Sequence, residues 1–281
     1  MLQAPAGTEP LDSGCRPHAP TAQELAKQRR AVDPLKMPAL YKEVFYGARG
    51  QPPGAYGVDR LRLRLFKRFE QPGTGLMGVV LLDEPSGHAV VLFKGMDRPF
   101  VERGGLGGAL TDLGGVLRAR FGGGNPQLPG GDDAYTEALC EPAIRSVEMV
   151  GYSMGSQVAN YLAVKYGAHA VVFADMGIDG TLLRRHAGGD LATTRAGARE
   201  RIVSLSLGGD LIVRIFGVGE VIGTVVPLPG GLAGALHQPE IYAQAADEMI
   251  RQLKRPDDAL AAAGTGARPS GRTLQRRAPG P

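Results

Sequence analysis

No tryptophan occurs among the 281 residues, and aromatic side chains make up only 6% of them. That leaves no basic–aromatic surface of the kind that stacks single-stranded nucleic acid, so nucleic acid is not expected as a partner. Cysteine is nearly as scarce. Cys15 and Cys140 stand far apart with no CxxC spacing, so neither a zinc site nor a structural disulfide is expected. The five histidines do not pair with cysteines or acids at ligand spacing, and HExxH is absent, so the sequence calls for no metal and no cofactor.

Long apolar runs are missing too. The longest apolar region, "LIVRIFGVGEVIGTVVPLPGGLAGAL" from Leu211, is broken by Arg214, Glu220, two prolines and many glycines, which excludes an ordinary membrane span. The first residues lack a basic-then-apolar leader. "LDSGC" before Cys15 fails as a lipoprotein signal because no apolar stretch precedes it and Asp12 stands where an apolar residue belongs. The expected location is the cytoplasm, or outside it by a route that needs no cleavable signal.

The net charge of +4 does not mark a binding surface. From Arg251 onward there are seven basic residues and two acidic ones, so this segment alone carries +5 and the rest of the chain is close to neutral. What the chain does have is glycine and proline, 42 and 21 of them, around an ordinary hydrophobic content of 43%. These numbers imply one large domain rich in turns. The composition divides the chain into an N-terminal tail at 1–35, a domain at 36–256 and a basic C-terminal tail at 257–281.

Within the domain the periodicity changes repeatedly. Thr21 and Glu24 form a capping-box pattern for a helix, and "PALYKEVFYG" reads as a second one. "RLRLRLF" from Arg60 alternates as a half-exposed strand with Leu61, Leu63 and Leu65 inward. "GLMGVVLLDE" and "HAVVLFKG", split by "PSG", read as a hairpin or two adjacent strands. The "GLGGAL" fragment lacks the third glycine of a dinucleotide loop, so no nucleotide is expected there. Further on, "DDAYTEALCEPAI" is helical, "SVEMVG" a buried strand and "GSQVANYLAVKYG" a helix. "HAVVFAD" and "RIVSLSL" are strands, and "PEIYAQAADEMIRQLKR" is a last amphipathic helix. The alternation predicts an α/β fold with a mostly parallel central sheet and helices on both faces.

The chemistry points to "GYSMG". A serine at the apex of a strand–turn–helix corner is forced into a left-handed backbone. The residues two before and two after it meet sheet and helix, hence Gly151 and Gly155 around Ser153. In a chain this rich in glycine the motif gains its weight from the strand before it and the helix after it. The bland alternative is a glycine-rich turn with an N-capping serine. A serine hydroxyl needs a base and a carboxylate. His18 lies in a tail, and His88 and His169 begin strands, at the edge opposite to where parallel sheets place their sites. His237, in "PGGLAGALHQPE" just before the last helix, is the leading base and His186 the second. Among carboxylates, Asp210 follows a strand in "SLSLGGDLIVRI". Asp175 also ends a strand and Asp190 lies in a polar loop. The order Ser153, Asp210, His237 is that of α/β-hydrolases.

From about Ala89 to Tyr242 the chain resembles the class 3 lipase-like branch of the α/β-hydrolases. "VVLFKG" followed by Met96-Asp97 is similar to that family's Phe-Arg-Gly-Thr strand end. "GYSMGSQVANYLA" is similar to its Gly-His-Ser-Leu-Gly-Gly elbow, and "VVFADMGID" to its next strand and loop. "GGDLIVRI" is similar to its Gly-Asp-Pro-Val segment, and "LHQPEIY" to its histidine followed by tyrosine. The resemblance implies Ser153 as nucleophile, Asp210 as orienting acid, His237 as base, and the backbone N–H groups of Met154 and Met96 as oxyanion donors. It also implies a carboxylic ester hydrolase of the lipase or phospholipase kind, acting on a lipid or other acyl ester in transient contact with a membrane surface. The apolar segment from Ile215 to Leu236 would be a flap over an acyl pocket. Three departures stand out: Met96 for threonine, Leu211-Ile212 for Pro-Val, and Tyr152 for histidine. The competing reading is a non-catalytic α/β-hydrolase scaffold used for binding. Oligomeric state is left open by the sequence.

Overall fold

The computed structural model describes residues 30–47, 55–95, 125–186, 190–210, 213–214, 217, 219–230 and 237–254. Met96, the "GLGGAL" fragment and the Thr21–Glu24 pattern lie outside them. A 3-10 turn at Pro34–Lys36 leads into α1 (Met37–Tyr46). Then come β1 (Tyr56–Val58), β2 (Leu61–Gln71), β3 (Leu76–Asp83) and β4 (His88–Phe93). They are followed by α2 (Leu128–Cys140), β5 (Ser146–Tyr152), α3 (Met154–Tyr166) and β6 (His169–Phe173). The last elements are α4 (Gly180–His186), α5 (Leu191–Arg201), β7 (Ile202–Leu207), β8 (Thr224–Leu228) and α6 (Pro239–Leu253).

The strands form one eight-stranded sheet in chain order. The β1–β2, β2–β3 and β3–β4 pairs are antiparallel, and β4 through β8 run parallel. The sequence patterns explain the positions. β3 and β4 are nearly continuous apolar runs because both faces are covered. In β2 Leu63 is fully buried and its neighbours Arg62 and Arg64 are exposed, as the alternation predicts for a strand near the edge.

The topology also decides which helix covers which face. Parallel strands that advance in one direction through right-handed crossovers put every connecting helix on the same side. Accordingly Leu128 and Tyr135 of α2, Val158 and Leu162 of α3, Leu183 of α4 and Ala198 of α5 share one core. The other face cannot be covered by crossovers. It is covered by α1 and α6, whose Leu40, Tyr41, Tyr242 and Ala246 pack with Val90, Val150, Phe173 and Leu205. The packed body also takes in residues before α1, since Val32 and Leu35 are buried in this second core.

Two expectations need correction. The supposed flap is partly a strand: Thr224–Leu228 is β8, paired with β7 from Val203↔Thr224 to Leu207↔Leu228. Its residues are mostly exposed and include Pro227, which an edge strand tolerates on its free side, so the usual buried-strand pattern is missing. Cys140, at the end of α2, is disulfide-bonded, not a free thiol. Separation along the chain does not bound distance in space, and Cys15 lies outside the described residues. Among those residues no helix is long and apolar enough to cross a membrane.

Candidate active site

The site lies where β5, β6 and β7 end. Ser153 follows β5 directly, with φ of 54° and ψ of −121°, a conformation that an L side chain rarely takes. The turn is held from several sides. The Ser153 amide donates to the Phe173 carbonyl at 3.2 Å, which ties the corner to β6. The Ser156 hydroxyl donates to the Ser153 carbonyl at 2.5 Å and accepts from the Met176 amide at 2.9 Å. The glycines are there for space. A Cβ on Gly151 would stand 2.4 Å from the Gly155 carbonyl oxygen, and one on Gly155 would stand 2.3 Å from the Phe93 carbonyl oxygen. α3 starts at Met154, so that residue's N–H is among the four that an α-helix leaves without an intrahelical acceptor.

His237 enters from the other face of the sheet, just ahead of α6. Its Nε2 lies 2.8 Å from Ser153 Oγ, and its Nδ1 lies 2.9 Å and 3.0 Å from the two oxygens of Asp210. An ionised carboxylate only accepts, so Nδ1 carries the proton and Nε2 is left to accept from the serine hydroxyl. Asp210, 4% exposed, also accepts from the Val213 amide at 3.1 Å and the Tyr242 hydroxyl at 2.8 Å. Burial pushes its carboxyl up, but these donors and His237 outweigh burial and hold it below the usual aspartate range. Tyr242 is shifted the other way. Burial and the adjacent Asp210 charge raise its phenol far above the ordinary tyrosine value, so it stays a donor.

Ser153, Asp210 and His237 are therefore brought together. Met96, the second expected oxyanion donor, lies outside the described residues. Its described neighbour Gly95 donates its amide to the Tyr41 hydroxyl at 3.0 Å. The other candidates make other contacts. Asp190 caps α5 by accepting from the Thr193 amide at 3.0 Å. His186 stacks edge-on against Tyr161, and Asp175 accepts from the Asn160 side chain at 2.8 Å. His88, at the start of β4, lies 2.8 Å through Nδ1 from Ser146 Oγ, and His169 begins β6. Sequence reasoning missed Tyr41 altogether and saw Tyr152 only as a departure from a motif. A cavity of about 280 Å³ opens behind Asp210 between Leu207, Val221, Val225 and Tyr242. Neither Ser153 nor His237 lines it, so it is not shaped around the hydroxyl. Among the described residues no cluster of His, Cys, Asp or Glu could hold a metal ion.

No family model matches the chain, and no curated protein matches its sequence. Solved structures do match. One, a crystal structure of a single-site mutant of MDLA from Penicillium cyclopium, aligns with a TM-score of 0.40 at 14% identity, over 70% of this chain and 77% of that chain. A likeness of this degree concerns strands and helices, not chemistry.

Proposed function

We propose that the chain is a serine hydrolase that cleaves carboxylic esters, with lipids as its substrate class. One observation carries this reading: an imidazole spans a strained serine and a buried carboxylate, 2.8 Å from the first and 2.9 Å from the second. A hydroxyl is a weak nucleophile unless a base takes its proton as it attacks, and His237 Nε2 is in place to do so. The proton leaves Ser153 for Nε2 as the oxygen bonds to the ester carbonyl carbon. Asp210 then faces an imidazolium and lowers its energy. His237 returns the proton to the departing alcohol, and water repeats the sequence on the acyl-enzyme. The proposed donors to the developing oxyanion are the N–H groups of Met154, at the start of α3, and of Met96.

The lipid assignment comes from the resemblance of residues 89–242 to class 3 lipases, which implies glycerolipids or phospholipids reached at a membrane surface. The test is hydrolysis of p-nitrophenyl butyrate and labelling by a fluorophosphonate, with Ser153→Ala as control. The wild type is expected to turn over and to label. The variant is expected to lose roughly 10⁴-fold or more in kcat and all labelling. A wild type that stays unlabelled would make the protein a binding scaffold.

A further inference from the structure

We propose that Tyr152, the residue before the elbow serine, is a positioning residue that holds His237 in the geometry needed to meet Ser153. The need arises at His237 itself. Its φ is 43°, on the positive side that residues with a Cβ avoid, and it lies outside any helix or strand. Left to itself the backbone there would relax to negative φ, and the ring would swing away from Ser153 Oγ. Tyr152 opposes this in two ways. Its hydroxyl donates to the His237 carbonyl oxygen at 2.7 Å, which fixes the strained peptide. Its ring lies against the imidazole, with centroids 5.4 Å apart and planes inclined by 30°, which limits rotation of the His237 side chain.

The tyrosine is itself immobile, as a support must be. It is 4% exposed and ends β5, so its main chain belongs to the centre of the sheet. Its ring touches Phe173 at 5.1 Å, Tyr41 at 5.4 Å and Tyr242 at 6.3 Å between centroids. Tyr41 comes from α1 and accepts the amide of Gly95, so one aromatic layer links α1, the end of β4, the elbow and the histidine. Ser153 and its base are thus referenced to adjacent residues of the same strand. A shift of that strand carries both together.

Tyr152→Phe keeps the ring and removes the hydroxyl. Its kinetic arm rests on the ester-hydrolase reading; a second arm does not. With p-nitrophenyl butyrate, kcat is expected to fall about 10- to 100-fold with KM unchanged, the size expected for a base displaced by up to an ångström. Fluorophosphonate labelling should slow by the same factor, and the thermal midpoint should move little. In ¹⁵N-histidine NMR spectra the His237 ring signals should shift and broaden while those of His88 and His169 stay put. Wild-type kcat in the variant, or a loss of activity that merely follows a lowered thermal midpoint, would overturn the proposal. If the wild type neither turns over nor labels, the hydrolase reading fails by itself and the spectra alone decide. Unchanged His237 signals in Tyr152→Phe then refute the positioning role, and altered ones support it.

Discussion

Two buried aspartates at neighbouring strand ends are shifted in opposite directions. Burial raises both carboxyls. At Asp210 the donors His237, Val213 and Tyr242 win, and the carboxyl stays below its usual range. At Asp175 burial wins over the bonds from the Gly177 amide and from the Ser204, Asn160 and Ser156 side chains, and the carboxyl is raised. Sequence position could rank the two only by the strand each follows; the donors that separate them come from α6 and α3, far along the chain. The signs of the consequences differ as well. A lowered carboxyl adds stability above its unfolded value, about 3.9, and loses it as pH falls through the folded value. Tyr242→Phe removes one donor and narrows that difference. Acid unfolding followed by circular dichroism should begin at higher pH, by less than about one unit. A raised carboxyl adds stability only below the unfolded value and becomes a burden as pH rises through the folded one. Asp175→Asn keeps the acceptor for Asn160 and Gly177 and removes the charge. It should raise stability at pH 8 by roughly 1 kcal/mol, with the gain fading toward pH 4 in urea titrations.

The elbow is where local sequence and global packing agree most closely. Gly-x-Ser-x-Gly between a strand and a helix could be read directly, because the steric reason for each glycine is local. The strands β3 to β7 were legible for a similar reason: a buried strand must be apolar, and a run of apolar residues bounded by turns has few other uses. β8 was not legible. At the sheet edge neither burial nor alternation is enforced, and only pairing to β7 marks it. β1 is three residues long and equally silent. The layer of Tyr41, Tyr152 and Tyr242 escaped because its members sit in three elements whose proximity follows from the fold alone. Packing at the elbow can be tested with two glycines of different surroundings. In Gly155→Ala the new Cβ meets the carbonyl oxygens of Phe93 and Lys94 at 2.3 Å and 2.9 Å, backbone atoms that cannot rotate away. A loss of about 2–3 kcal/mol or more in urea, with slower fluorophosphonate labelling, is expected. Gly57→Ala in β1 meets nothing within 4 Å and should change stability by less than about 0.5 kcal/mol.

A sheet whose parallel strands advance in one direction leaves one face to be closed by segments outside the crossovers. Here the first and last described helices do it, and the last one follows directly on His237, so closing the face and bringing that imidazole to Ser153 are one event. The N-terminal side needs an anchor of its own, and Arg30 supplies it at the opposite rim, where β5, β6 and β7 begin. Its guanidinium donates to Glu148 Oε1 at 3.1 Å, to the Ala170 carbonyl at 3.2 Å and to the Arg201 carbonyl. Glu148 is 2% exposed at its side chain and lies within β5, with His88 Nε2 3.7 Å away. Removing one member of such a pair strands the other, and the loss then exceeds what the pair contributes. Arg30→Ala should therefore destabilise by about 3 kcal/mol, because a carboxylate is left inside the sheet. Glu148→Gln should lose nearer 1 kcal/mol, since Arg30 keeps two carbonyl acceptors and some solvent. The double variant should be more stable than Arg30→Ala alone, with a coupling of more than about 1 kcal/mol in urea denaturation. Because the anchor lies at the strand ends opposite to Ser153, Asp210 and His237, the proposed ester turnover should be the same in folded Arg30→Ala as in the wild type. Additive effects of the two substitutions would mean that the segment before α1 is not held by this contact.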